Sequence, residues 1–398
     1  MRILFVSQYY PDSIIEQCAS ISKIGLDWAA HNLSKAIIRG LDENDVDYSI
    51  LNVPLMGSFP PFSKTPFVPS ACEENMDSIG YLNITYLKRI DTKRRVLKAA
   101  TKWCDETQGD KVIIFYNYHY IEIITKLKQL HPDVKIVMLL TDLPEYTVPH
   151  ETILTRLNNK ISPLTNAKKG SHYEFIDGYI FLAEGMKDKM PVGNKPWLLM
   201  EGIYNNESNP ALINKKESSV KSIMYTGNLG ARYGIGILLE AFDKIKDANC
   251  QLWIRGNGEF EKVIKARAEK DKRIIYMERM TRKELTEKQR QATLLINPVP
   301  PTEEFTKYFF PSKTLEYMAS GTPTLMYKLS CIPEDYYEYL LFLEDGTSDY
   351  MANRIQELCN RSVDELNLIG TKASNFIFQN KTPKRQIEKV IAFLHTIL

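Results

Sequence analysis

The sequence lacks most of the marks that assign a chain to a special class. No apolar run approaches the eighteen or so residues that a membrane-spanning helix needs. The charge is nearly balanced, at +2 with 25% charged residues, which excludes a general nucleic-acid binder. The six cysteines, Cys18, Cys72, Cys104, Cys250, Cys331 and Cys359, form no Cys-x-x-Cys pair and no metal-ligand spacing. They read as reduced intracellular thiols, and no metal site is expected. The opening MRILFVSQYYP is too short in its apolar part for a signal-peptide core. It fits a buried first strand, and a cytoplasmic protein is expected.

What is present is a regular alternation of short apolar runs with amphipathic stretches. At 398 residues the chain has room for two domains, each with its own core. Continuous rather than alternating apolar runs mark buried parallel strands: residues 2–7, 47–53, 111–116 (KVIIFY), 135–140 (KIVMLL), 177–182 and 197–200 in the first half. The second half repeats the pattern at 222–226, 251–254, 273–277, 293–297 and 324–327. Residues 204–221 are polar and without period, which reads as an interdomain linker. The expected division is an N-terminal domain over 1–203, a linker over 204–221 and a C-terminal domain over 222–382. The terminal helix, residues 383–398, carries Ile387, Val390, Ile391, Leu394 and Leu398 at helical spacing.

One N-terminal stretch is strongly basic. Lys88, Arg89, Lys93, Arg94, Arg95, Lys98 and Lys102 are opposed only by Asp91, while Ile90, Leu97, Ala100 and Cys104 recur at helical spacing. Such a helix is either a solvated charged face or a docking surface for an anionic membrane. Strand ends matter as well, because open α/β sheets bind ligands beyond the carboxyl ends of their strands. Those ends place His119 and, after the next strand, Asp142 and Glu145 as candidate ligand contacts.

The richest stretch is residues 297–323, NPVPPTEEFTKYFFPSKTLEYMASGTP. A strand end is stopped by prolines, a polar loop follows, and Pro311 with Ser312 opens a helix of about three turns that Gly321 and Pro323 close. Ser312, Lys313 and Glu316 share one face of it. Lys313 and a helix N-terminus suit a phosphate, and a carboxylate one turn along suits two sugar hydroxyls. The plainer alternative is that Glu316 pairs with Lys313 or complements the dipole.

FPSKTLEYMASGTP resembles the nucleotide-sugar-binding segment of family 4 glycosyltransferases, whose Glu-x7-Glu motif ends in a helix running Glu-Ala-Met-Ala-x-Gly-x-Pro. Glu316, Ala319, Gly321 and Pro323 match the second half, whereas Tyr308 stands where the first glutamate is usual. The resemblance implies an α/β chain of the GT-B fold, two Rossmann-like doubly wound domains facing across a cleft, with the last helix packing back on the first. Relatives have Gly-x-Leu and then an arginine and a lysine. Gly227, Leu229 and Arg232 match, and Tyr233 takes the lysine's place. TDLPEY, residues 141–146, is similar to an Asp-Leu-x-Pro segment in the acceptor wall of bacterial polysaccharide enzymes.

By this resemblance the donor site comprises Gly227, Asn228, Leu229 and Arg232, then Gly256 and Gly258 of the RGNGEFE loop, and Met280 near the base. Phe310, Pro311, Ser312, Lys313, Thr314 and Glu316 complete it. Arg232 and Lys313 are the expected catalytic cations, Glu316 the ribose-holding carboxylate. The implied activity is a retaining, metal-independent transfer from a nucleotide sugar to a glycan or lipid-linked acceptor in polysaccharide assembly, in the cytoplasm or at the inner membrane face. Two alternatives remain: a sugar-nucleotide epimerase or hydrolase of the same fold, and a catalytically silent partner subunit, suggested by Tyr308 and Tyr233.

Overall fold

The computed structural model describes residues 1–143, 172–205 and 218–398, and the chain falls into two units, Met1–Asn205 with Pro383–Leu398, and Asn206–Thr382. In the first, β1 (Arg2–Ser7) is buried at every position after Arg2. It pairs in parallel with β2 (Tyr48–Asn52) on one side and β7 (Lys111–Tyr116) on the other. Beyond β7 follow β8 (Lys135–Leu140), β9 (Gly178–Phe181) and β10 (Trp197–Leu199), all parallel. Beyond β2 lie β5 (Met76–Ser78), parallel, and β4 (Ala71–Glu73), antiparallel at the edge. β3 (Phe67–Val68) and β6 (Tyr81–Leu82) form a separate ribbon. The uninterrupted apolar runs thus become strands covered on both faces.

Within the described part of residues 1–205 four helices serve this sheet. α1 (Ile15–Ile21) lies in a stretch that reads as loop, because Cys18 is its only buried residue and leaves no stripe to see. α2 (Trp28–Glu43) starts at Asp27, whose carboxylate accepts from the N–H groups of Ala29 and Ala30, both at 3.1 Å. α3 (Leu87–Glu106) is the basic helix, and its inward stripe keeps Ala100 and Cys104 of the expected residues but not Ile90. Thr92, Val96, Ala100 and Cys104 are buried, whereas Ile90 is 67% exposed. The stripe runs at i, i+4, and Lys88 lies one step before it. α4 (Ile121–Leu130) follows β7.

The second unit is a six-stranded parallel sheet in the order β13-β12-β11-β14-β15-β16. The strands are β11 (Lys221–Thr226), β12 (Cys250–Arg255), β13 (Ile274–Met277), β14 (Leu294–Asn297), β15 (Thr324–Tyr327) and β16 (Leu341–Leu343). Its helices are α5 (Ile235–Lys244), α6 (Glu261–Lys270), α7 (Arg282–Gln291), α8 (Lys313–Ala319), α9 (Ser348–Cys359) and α10 (Val363–Asn380). Capping boxes, Thr281 with Glu284 and Ser362 with Glu365, fix the starts of α7 and α10. α8 has 7 residues, two turns rather than three, because Gly321 enters the left-handed region at φ +76° and Pro323 follows. In each unit the strand order reverses beside the first strand, between β1 and β7 and between β11 and β14. Such switch points open a crevice at the carboxyl ends.

The last helix, α11 (Pro383–His395), packs against α2 in the first unit, with Ile387, Val390 and Leu394 in a common core with Phe5, Ile37 and Leu41. Gln386 donates to the Gly202 carbonyl at 2.7 Å. Gly40 of α2 makes the approach close: a Cβ there would meet the Pro383 carbonyl oxygen at 2.6 Å and Ile387 Cβ at 2.9 Å. Two effects of Gly40→Ala oppose. Helix propensity favours alanine by about 1 kcal/mol, while overpacking costs about 1–3 kcal/mol. The clash involves backbone and should win, so Gly40→Ala is expected to lower the melting temperature. A stabilised variant would mean that α11 is not seated on α2 in this way.

Candidate functional site

The switch point of the second unit gathers the residues that the sequence singles out. β11 ends at Thr226, and Gly227 leaves it at φ +141°. The place a Cβ would take at Gly227 lies 2.6 Å from Lys313 Nζ, so glycine here makes room for that ammonium. Lys313 Nζ donates to the Tyr225 hydroxyl at 3.1 Å and stands 4.4 Å from the Tyr225 ring centre and 5.9 Å from that of Tyr233. No carboxylate forms an ion pair with it among the described residues. Burial outweighs the pull of Glu316 and pushes the Lys313 ammonium down from 10.5 to about 8.

The loop beside it is tied by backbone. The Tyr225 hydroxyl donates to the Asn228 carbonyl at 2.6 Å, and the Asn228 side chain accepts from the Gly230 N–H at 2.8 Å. A Cβ on Gly256, at φ +158°, would strike the Gly227 carbonyl oxygen, and one on Gly258 would lie 2.8 Å from Leu229 N. These glycines therefore let two strand-end loops touch. Arg232 is exposed, its guanidinium carbon 3.9 Å from the Phe305 ring centre. Phe305 also meets Tyr233 edge-on at 6.0 Å. The ring fixes one side of the planar guanidinium and leaves its edge of donors clear.

One turn along α8, a Glu316 carboxylate oxygen lies 3.8 Å from Arg282, the first residue of α7. Glu316 is crowded by protein yet 44% of its side chain stays open to water. Burial raises its carboxyl, and Arg282 and Lys313 hold it down. Met280, half-buried, sits in the loop before Arg282. Ser312 is exposed at the start of α8. Three of the predicted residues point elsewhere. Thr314 is fully buried with its hydroxyl against Met326 Sδ, Phe310 packs on Tyr336, and Leu229 is in the core. Pro311 is buried too. Tyr225, Phe305 and Arg282 were not foreseen. The capping box marks the helix that Arg282 opens, but nothing in the sequence shows its reach to Glu316.

The first unit has its own crevice, a cavity of about 470 Å³ beyond β1, β2 and β7. His119 lines it, with Lys88 and Arg89 from the start of α3. Burial first, then the charges of Lys88, Arg89 and Lys93, push the His119 imidazolium down to about 4, so the ring is neutral at physiological pH. The Lys88 ammonium, bound to the Met56 carbonyl, is pushed down by burial to about 8. Asp142 lies past the end of the neighbouring β8 and is raised by burial and by Asp27. Asn117, whose side chain accepts from Thr141 N–H at 3.0 Å, links these two strand ends. Glu145 and residues 206–217 of the expected linker lie outside the described residues.

Residues 220–361 match the family model described as Glycosyl transferases group 1. That stretch, about a third of the chain, is similar to glycosyltransferases of this group. No curated protein matches it in sequence. Solved structures similar to it include an E. coli trehalose-6-phosphate structure bound with UDP-2-fluoro glucose, at 12% identity and TM-score 0.66 over 100% of both chains. A trehalose-6-phosphate synthase studied for enzymatic glycosyltransfer with retention gives 13% and 0.63 over 100% of this chain and 99% of that one. Sucrose-phosphate synthase from Thermosynechococcus elongatus gives 14% and 0.60 over 100% of both. These likenesses establish the GT-B fold for the chain.

Two of the depressed ammonium groups, those of Lys313 and Lys88, are directly observable. With lysines reductively methylated using labelled formaldehyde, two resonances should titrate with midpoints near pH 8, and Lys313→Arg and Lys88→Arg should each remove one. Midpoints near the ordinary 10.4 for both would contradict the burial described here.

Proposed function

We propose that this protein is a glycosyltransferase that moves a sugar from a nucleotide-sugar donor, with retention and without a metal, to a glycan or lipid-linked acceptor in polysaccharide assembly. The observation that carries this reading is the pairing on α8 of an ammonium without a carboxylate partner, Lys313, and a carboxylate one turn on, Glu316, both at the switch-point end of a parallel sheet. A nucleoside diphosphate presents phosphate and ribose at about that separation. In this reading Lys313 and Arg232 face the diphosphate, while Glu316, steadied by Arg282, accepts hydrogen bonds from the ribose hydroxyls.

The chemistry follows from charge. The bond from the anomeric carbon to the diphosphate oxygen breaks, the electron pair leaves with the diphosphate, and the acceptor oxygen forms the new bond. Negative charge grows on the leaving oxygen, where fixed cations are worth most. Retention requires attack on the face that the diphosphate leaves, so the departing phosphate oxygen is the nearest base for the acceptor's proton. The similar structures concern UDP-2-fluoro glucose and glycosyltransfer with retention, which supports a nucleotide sugar and this stereochemistry. An acceptor at the inner membrane face is supported by the outward side of α3, where Arg94, Arg95 and Lys98 are exposed beside Leu87 and Ile90.

Calorimetry with uridine, guanosine, adenosine and thymidine diphosphates and their sugars, with and without magnesium, tests the reading. One base should bind saturably and independently of magnesium. Glu316→Ala should remove charge-assisted hydrogen bonds of about 1.5–3 kcal/mol, weakening affinity about 10- to 150-fold. Unchanged affinity would take Glu316 out of the site. Conversion of the donor without acceptor would favour an epimerase or hydrolase, and tight binding without any turnover would favour a silent partner.

A further inference from the structure

α8 is 7 residues long, and Ser312 before it gives no side-chain cap. A helix this short does not hold its place by its own hydrogen bonds. Where it sits, and so where Lys313 and Glu316 sit, depends on what it is tied to. Its far end is held by α10, whose Ser374 hydroxyl donates to the Ala319 carbonyl at 3.1 Å. The other tie runs to β11.

That tie arises from the switch point itself. β14 pairs with β11 only at Ile223 and Met224, so the ladder on that side stops two residues before Thr226. Successive residues of a strand turn their N–H and C=O to opposite sides. The Gly227 N–H goes to the Arg255 carbonyl on the β12 side at 3.0 Å, so the Thr226 groups face the side that β14 has left. They are buried and have no strand partner there, which is costly unless something replaces it. Tyr317 of α8 replaces it. Its hydroxyl accepts from the Thr226 N–H at 2.8 Å and lies 3.1 Å from the Thr226 carbonyl oxygen, to which it donates. Its ring fills the space behind, fully buried with Met224, Ala292 and Leu295.

Two residues one turn apart on α8 thus bond to consecutive residues of β11. Lys313 donates to the Tyr225 hydroxyl, and Tyr317 closes on the Thr226 backbone. Glu316 is the neighbour of Tyr317 in sequence. The motif that α8 resembles has alanine at this position, and an alanine has no hydroxyl to offer Thr226. We propose that Tyr317 is a positioning residue of the donor site: its hydroxyl, taking the place of the missing β14 partner of Thr226, sets Lys313 and Glu316 against the Gly227 turn. The inference rests on the donor reading above for what those two residues bind, and not for the tie itself.

Tyr317→Phe keeps the ring and leaves the Thr226 groups unpartnered. Calorimetry with uridine, guanosine, adenosine and thymidine diphosphates, at a temperature where circular dichroism shows the variant folded, should find the base that the wild type takes bound about fivefold more weakly or worse. The labelled Lys313 resonance should titrate about half a unit or more above its wild-type midpoint, because a loosened α8 exposes the ammonium. In a double-mutant cycle with Glu316→Ala the two losses should not add. Gly40→Ala, in the first unit, is the comparison: it should lower the melting temperature and move neither readout. Wild-type affinity together with a wild-type Lys313 midpoint in Tyr317→Phe would overturn the proposal. If the wild type binds none of the four nucleotides, the donor reading falls; a raised Lys313 midpoint then keeps the tie, and an unmoved one removes it as well. If Tyr317→Phe does not fold, hydrogen exchange in the wild type decides. The Thr226 amide should exchange as slowly as that of Met224 inside β11, and slower still with the nucleotide that binds, whereas exchange at the rate of an open loop would overturn the proposal.

Discussion

The parallel run of the strands is the constraint on which the rest depends. In the second unit all six strands point the same way, so their carboxyl ends and the amino ends of the helices that follow lie along one edge. Peptide dipoles at those helix ends add positive potential there. The first unit repeats the arrangement, with only the edge strand β4 reversed. A lysine placed at such an edge and withdrawn from water holds its proton poorly, and Lys313 and Lys88 are both pushed down to about 8. In the proposed reading the Lys313 charge is satisfied by the diphosphate of the donor, whereas Lys88 donates to the Met56 carbonyl.

The neighbours of each lysine separate a scaffold role from a binding one. Lys381 is 1% exposed and paired with Asp335 at 3.1 Å, under the Tyr336 ring. Its charge is answered within the fold. Lys313 has rings and a hydroxyl around it instead, from Tyr225 and Tyr233, which steady an ammonium weakly and leave its charge uncancelled. Glu316 could have cancelled it. The ion pair that Glu316 makes is with Arg282, so the plain alternative of a local pair with Lys313 is not what the side chains adopt.

Most of the scaffold was legible because strands buried on both faces need uninterrupted apolar runs: β1, β7, β8, β11 and β14 all announce themselves so. The candidate donor side, which remains a proposal, was marked by glycines and one helix start. What escaped depends on tertiary contact. α1 buries only Cys18, so no period betrays it. The length of α8 is set by where Gly321 turns. In α3 the expected stripe was right at Ala100 and Cys104 and wrong at its start, because hydrophobicity alone could not show that Thr92 is buried while Ile90 is not. Lys88 was then counted with the solvated cations. Phe305 and Arg282 come from loops and helix starts far along the chain, and only folding brings them to Arg232 and Glu316.

The departure of Tyr233 from the usual lysine looks different in three dimensions. Its ring centre is 5.9 Å from the Lys313 ammonium and edge-on to Phe305, which carries Arg232. The tyrosine thus occupies space between two cations rather than adding a third. A third would raise their mutual repulsion and lower the Lys313 proton affinity further. The existing depression, from 10.5 to about 8, already corresponds to a penalty on the order of 3 kcal/mol. Under the proposed reading a bound diphosphate relieves that penalty, and relieves it most as charge grows on the leaving oxygen. Two cations held by rings, with the dehydration of Lys313 already incurred on folding, are then better matched to the transition state than three that repel one another in its absence.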